Sequence, residues 1–150
     1  ENFGIWKIDL DSMDSIEEIL KDSNNTVDLV NEIKPNSPLS ADIEGLTIYY
    51  VNNDSGYLIA SSQGDSTFAI YDRAGDNSYL GSFAVEGVKQ TDGLDITSIP
   101  LGKEYPTGML IVQDGLNKVP QANSNSSGKK TYDLKTNFKF VSVKDIFEHF

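Results

Sequence analysis

The chain repeats itself at a spacing of about 50 residues, and a repeat of that length restricts the fold to units that stack or radiate. Glu44-Gly45-Leu46 has a counterpart in Asp92-Gly93-Leu94, and Gly56-Tyr57-Leu58-Ile59-Ala60 in Gly108-Met109-Leu110-Ile111-Val112. Gln63-Gly64 then corresponds to Asp114-Gly115, and a further segment follows in each copy, Thr67 to Arg73 and Asn137 to Val143. Gly4-Ile5-Trp6-Lys7-Ile8-Asp9 matches that last segment and stands for a preceding, incomplete copy. Thr47-Ile48-Tyr49-Tyr50-Val51 and Phe68-Ala69-Ile70-Tyr71 have the alternation and the β-branched or aromatic content of strands. Turn clusters lie between strands: Asn52-Asn53-Asp54-Ser55-Gly56, Ala74-Gly75-Asp76-Asn77 and Gly102-Lys103-Glu104-Tyr105-Pro106. The expected fold is all-β, a β-propeller with antiparallel sheets over Ile43 to Val85 and Gly93 to Val143, amounting to about two and a half blades.

Two segments depart from the repeat. Ser12 to Asp22 reads as a short helix decorating the core, with Ser15 and Glu18 at capping-box spacing and Met13, Ile16, Ile19 and Leu20 as its apolar stripe. Gln121 to Lys130 is polar, rich in Asn, Ser and Gly, and reads as a surface loop. An open set of blades leaves sheet faces and edges bare. Residues 1–150 are therefore expected to be the C-terminal portion of one propeller domain, its remaining blades lying N-terminal or supplied by another chain.

Charge and composition remove several functions. The net charge of −11 opposes binding to a nucleic-acid backbone. No apolar run approaches the roughly 18 residues of a membrane-spanning helix, and no basic-then-apolar leader opens the chain. With no cysteine there are no disulfides, thiolate metal sites or cysteine nucleophiles. The single histidine, His149, stands beside the C-terminus, so a histidine phosphatase mechanism cannot be assembled here. Gly-x-Ser-x-Gly, P-loop and His-Glu-x-x-His motifs are missing. Gly64-Asp65-Ser66 reads as a turn, and Trp6 and the tyrosines as strand residues packing a core.

Position matters more than number for the carboxylates. Asp42 and Glu44 are two apart at the start of a strand, where alternation allows both to point to one side. Asp92 occupies the repeat position of Glu44. Rotation about a propeller axis would bring such positions to one rim of the channel, where carboxylates repel unless protonated or bridged by a cation. Calcium, which takes about six to eight oxygen ligands, suits such a set. Solvated turn residues would give the same pattern, and spacing alone leaves both readings open.

The string Ala41-Asp42-Ile43-Glu44-Gly45-Leu46-Thr47-Ile48-Tyr49-Tyr50 resembles one characteristic of β-propeller phytases. Gly56 to Gly64 and Ala69-Ile70-Tyr71-Asp72-Arg73 follow at the family's spacing, then Thr91-Asp92-Gly93-Leu94-Asp95, Gln113-Asp114-Gly115 and Asn137-Phe138-Lys139. The resemblance implies a six-bladed propeller, a secreted or periplasmic location, and calcium-dependent removal of phosphate from inositol hexakisphosphate, the 3-phytase activity. It implies metal ligation by Glu1, Asp42, Glu44, Gln63 and Asp92, with Glu44 and Asp92 as candidate catalytic residues. Water activated by metal would attack phosphorus without a covalent intermediate. Leu116 replaces the acidic residue that the family carries after Asp114-Gly115, which weakens a metal role there. Glu86 to Gln90 is too short for a further aspartate usual before Thr-Asp-Gly. The family's phosphate-gripping basic residues belong mostly to the other half, so this chain alone is expected to be inactive. A calcium-stabilised propeller half acting as a binding or assembly module is the alternative.

Overall fold

A strand covered on both faces can be apolar at consecutive positions, whereas a strand covered on one face alternates. Both kinds occur in the computed structural model, which describes residues 3–8, 27–120 and 132–148. Glu1, His149, the expected helix at 12–22 and the polar loop at 121–130 lie outside the described residues. Strands β1 (Gly4–Ile8) and β2 (Val27–Glu32) form the first sheet. A four-stranded meander follows, β3 (Ile43–Tyr50), β4 (Gly56–Ser62), β5 (Thr67–Asp72) and β6 (Tyr79–Phe83). The third sheet is β7 (Leu94–Thr97), β8 (Met109–Pro120) and β9 (Tyr132–Ser142), and a short helix, α1 (Val143–Phe147), follows it. Every named strand pairing is antiparallel.

The middle sheet is covered on both faces. Phe68 and Ile70 of β5, with Ile59 of β4, pack against Val88, Leu110, Val112 and Ile146. Ala69 and Tyr71, with Ala60, pack the other way against Ile5, Leu39 and Ile43. Phe68-Ala69-Ile70-Tyr71 is thus buried at all four positions, its alternation dividing two cores and not core from solvent. The opening strands β3 and β7 lie side by side, as first strands around a propeller axis do. Gly45 allows this approach, because a Cβ there would run into Leu94 and stand 3.0 Å from the Asp92 carbonyl.

Several details differ from the expectation. The last segment of the second copy begins earlier, at Tyr132, and its end turns into α1, where Val143 and Ile146 enter the core. A further strand that the repeat did not single out, the edge strand β6, completes the middle sheet, and little of it is buried. Trp6 is not a core residue: it is 54% exposed, while Ile5 is buried, and the register shifts between the two. Asn52 to Gly56, by contrast, is the turn its sequence predicts, the Asn52 side chain accepting the backbone N–H groups of Asp54 (2.9 Å) and Ser55 (2.8 Å).

Buried Tyr71 gives a pH prediction. Among the described residues its buried hydroxyl has no hydrogen bond of good geometry, although Asn31 lies nearby. Burial pushes its pKa well above the usual 10.0, and neighbouring Tyr79 adds to this. The folded chain then holds a proton that the unfolded chain releases above pH 10.0, so stability falls as pH rises past that value. Tyr71→Phe should leave stability at neutral pH unchanged or higher and flatten this alkaline loss. Denaturant unfolding at pH 8 and pH 11 checks it, and equal alkaline losses in the two proteins would refute it.

Candidate functional site

Strand polarity places the predicted residues at one end of the sheets. Asp42 immediately precedes β3 and Glu44 lies within its first turn of pleat, Gln63 follows β4 directly, and Asp92 stands just before β7. Antiparallel pairing returns the end of β4 to the start of β3, and the Gln63 N–H donates to the Asp42 carbonyl at 2.8 Å. Gly64 makes the return possible, because a Cβ there would collide with the Ala41 carbonyl. The adjacency of β3 and β7 then brings Asp92 to the same place.

Gln63 and Asp92 are in direct contact, Gln63 Nε2 donating to Asp92 Oδ1. Gln113 Nε2 donates to the other oxygen, Asp92 Oδ2, at 2.7 Å. One carboxylate is therefore held between amides from two successive sheets. Both amides are neutral, and no lysine or arginine pairs with Asp92 among the described residues. The hydrogen bonds orient its charge without cancelling it. Asp42 and Asp92 are half-buried and Glu44 is exposed. A register irregularity between Ile43 and Leu46 interrupts β3 here, so strict alternation does not carry across Glu44.

Sequence reasoning missed Gln113. The repeat matches Gln63 with Asp114, but in space the side chain beside that of Gln63 belongs to the preceding residue. Asp114 turns the other way and is 1% exposed. The packing of one sheet on the next decides which of the two meets Asp92, and no local pattern reports that.

Among the described residues, no three Asp, Glu, His or Cys side chains are grouped so as to hold a metal ion by themselves. The groups around Asp92 are mixed: its own carboxylate, the side-chain amides of Gln63 and Gln113, which turn their nitrogens to it, and the backbone carbonyl of Asp42. The oxygens are hard donors, and the one charge among these groups, on Asp92, has no cationic side chain paired with it among the described residues, a chemistry that suits a hard cation such as calcium better than a soft metal.

The chain matches the phytase family over residues 1–150. It is also similar to a 3-phytase of Bacillus subtilis (strain 168), 42% identical over 117 residues. That alignment covers 74% of this chain but 28% of the relative, so the chain spans little more than a quarter of that protein's length. Consecutive antiparallel sheets and a match along the whole sequence have one common explanation, that this chain belongs to the phytase family.

Proposed function

We propose that this chain is part of a calcium-dependent phosphomonoester hydrolase acting on inositol hexakisphosphate, of the 3-phytase type, in a secreted or periplasmic protein. Membership of the phytase family is the observation that carries the reading. Asp42, Glu44, Gln63 and Asp92, with Glu1, are the residues that would hold the metal, and Glu44 and Asp92 those closest to the chemistry. Calcium held there would offset the charge of the substrate phosphate and lower the pKa of an attacking water. The chain's own part is to fix oxygen donors at one rim. Gln63 ties Asp42 to Asp92, linking the starts of β3 and β7.

The activity is assigned to a propeller completed by further blades. Phe138 and Phe140 of β9 are 54% and 57% exposed, an apolar face that a neighbouring blade would cover. The negatively charged chain would repel a polyanionic substrate without its metal, which also accounts for the need for calcium.

Calcium should raise the unfolding temperature, because a ligand bound only by the folded state adds about 2.7 kcal/mol at a hundred times its dissociation constant. Calorimetry with calcium and with chelator checks this. No calcium-dependent shift, in the chain and in the full-length protein alike, would remove the metal from the proposal.

A further inference from the structure

The segment before Asp92 is fixed from several directions by groups that the proposed ligand set does not use. Asp114 is almost wholly buried, and its Oδ1 accepts the backbone N–H of Lys89 at 3.1 Å and that of Leu116 at 3.3 Å. Gly115 N–H donates to the Lys89 carbonyl at 3.0 Å, so both polar groups of the Lys89 backbone end on this one turn. The next carbonyl, Gln90, stands 2.6 Å from where a Cβ on Gly115 would be, which leaves room for glycine alone. Gln90 N–H donates to Ser66 Oγ at 3.2 Å, and the Thr91 carbonyl accepts from buried Ser61 Oγ at 2.9 Å. Asp92 is the next residue, and its carboxylate meets the amide of Gln113, the residue immediately before Asp114.

Asp114 makes a poor solvated turn residue. Among the described residues its other oxygen, Oδ2, is buried without a hydrogen bond, and Lys139 Nζ lies 3.8 Å away. Burying a carboxylate this far is costly, and here the Lys89 and Leu116 N–H groups offset part of the cost. What it orders in return is the backbone leading to Asp92.

We propose that Gln113 and Asp114 are a positioning pair for Asp92, Gln113 orienting the carboxylate and Asp114 fixing the backbone that carries it. The inference rests on the reading of Asp92 as a calcium ligand. Neither residue need touch metal or substrate. Loss of an outer partner of this kind typically weakens a metal site by about 10- to 100-fold.

The test uses the full-length protein and two measurements, calorimetric titration with calcium and thermal unfolding in chelator. Gln113→Leu keeps the size of the side chain and removes its donor. It should raise the calcium dissociation constant by about 10- to 100-fold while the chelator unfolding temperature stays within about 3 °C of wild type. Asp114→Ala should weaken calcium binding to a similar degree. Asp114→Asn keeps an oxygen for the Lys89 and Leu116 N–H groups, so it should restore binding to within about threefold of wild type, a difference worth less than ~1 kcal/mol. Asp92→Ala is the control for the underlying reading. If it binds calcium as wild type does, that reading fails and takes the proposal with it. If Asp92→Ala loses binding but Gln113→Leu keeps it, the positioning role alone is overturned. Asp114→Asn as weak as Asp114→Ala would overturn the backbone account, since the buried charge and not the N–H bonds would then matter. A Gln113→Leu protein that melts far below wild type in chelator would likewise overturn it, because the residue would be serving stability.

Discussion

Asp92→Ala in the full-length protein should lower phosphate release from inositol hexakisphosphate by about 100-fold or more at limiting calcium, beyond what losing only an outer partner of a metal site costs. The substitution removes a charge that two amides hold in place from opposite sides, and it leaves the Gln63 and Gln113 donors facing each other without an acceptor. Glu44→Ala should also impair release, since Glu44 is the second residue of the neighbouring strand β3 and is proposed to ligate the same metal. Asp76→Ala removes the same unit of charge from an exposed turn after β5 and should change little, which separates the site from net charge. A weakened metal site responds to mass action, so excess calcium should restore part of the lost rate, which it could not do for a misfolded protein. The isolated chain, spanning 28% of its relative's length, should release little phosphate under any condition. Phosphate release measured against calcium concentration for all the variants decides the matter. Equal activity for wild type, Glu44→Ala and Asp92→Ala at every calcium level would end the catalytic assignment.

The second large effect concerns stability. Phe68 is fully buried, stacks on Phe83 with ring centroids 5.2 Å apart, and sits where the middle sheet packs on the third. Phe68→Ala should cost about 3–5 kcal/mol, because the lost burial is joined by a cavity that two sheets cannot both close. In a protein of this size that corresponds to a fall in unfolding temperature on the order of 10 °C. Ile99→Ala, at a position 67% exposed beyond β7, should stay within about 0.5 kcal/mol of wild type. Denaturant unfolding checks both, and a cost below about 1 kcal/mol for Phe68→Ala would show that the two sheets do not pack as one core.

The two predictions differ in how much of their basis the sequence carries. Phe68 could be placed in a strand from its neighbours, since Phe68-Ala69-Ile70-Tyr71 has strand composition and stands between turn clusters. That the strand would be buried on both faces could not be read from four residues. The meaning of their alternation depends on whether a second sheet covers the far side, and here the first sheet does. Trp6 shows the reverse. The pattern Ile-Trp predicts a packed aromatic, but a register shift in β1 hands the core to Ile5.

By itself the sequence determined the all-β class, the antiparallel meander, the family, and the placing of Asp42, Gln63 and Asp92 at strand ends. These follow from short-range properties: side-chain period, turn chemistry, and a repeat that puts like residues at like positions. The tertiary structure decided which of those residues touch. Asp92 meets Gln63 because Gly45 lets β3 and β7 lie close, and it meets Gln113 and not Asp114 because of how β8 faces the middle sheet. The short helix α1 likewise takes its place from tertiary packing, as Val143 and Ile146 turn into the core where β9 ends. A strand's local signal fixes only that successive side chains alternate. The face that each set meets is fixed by the sheet packed against it, which no segment of the chain encodes alone.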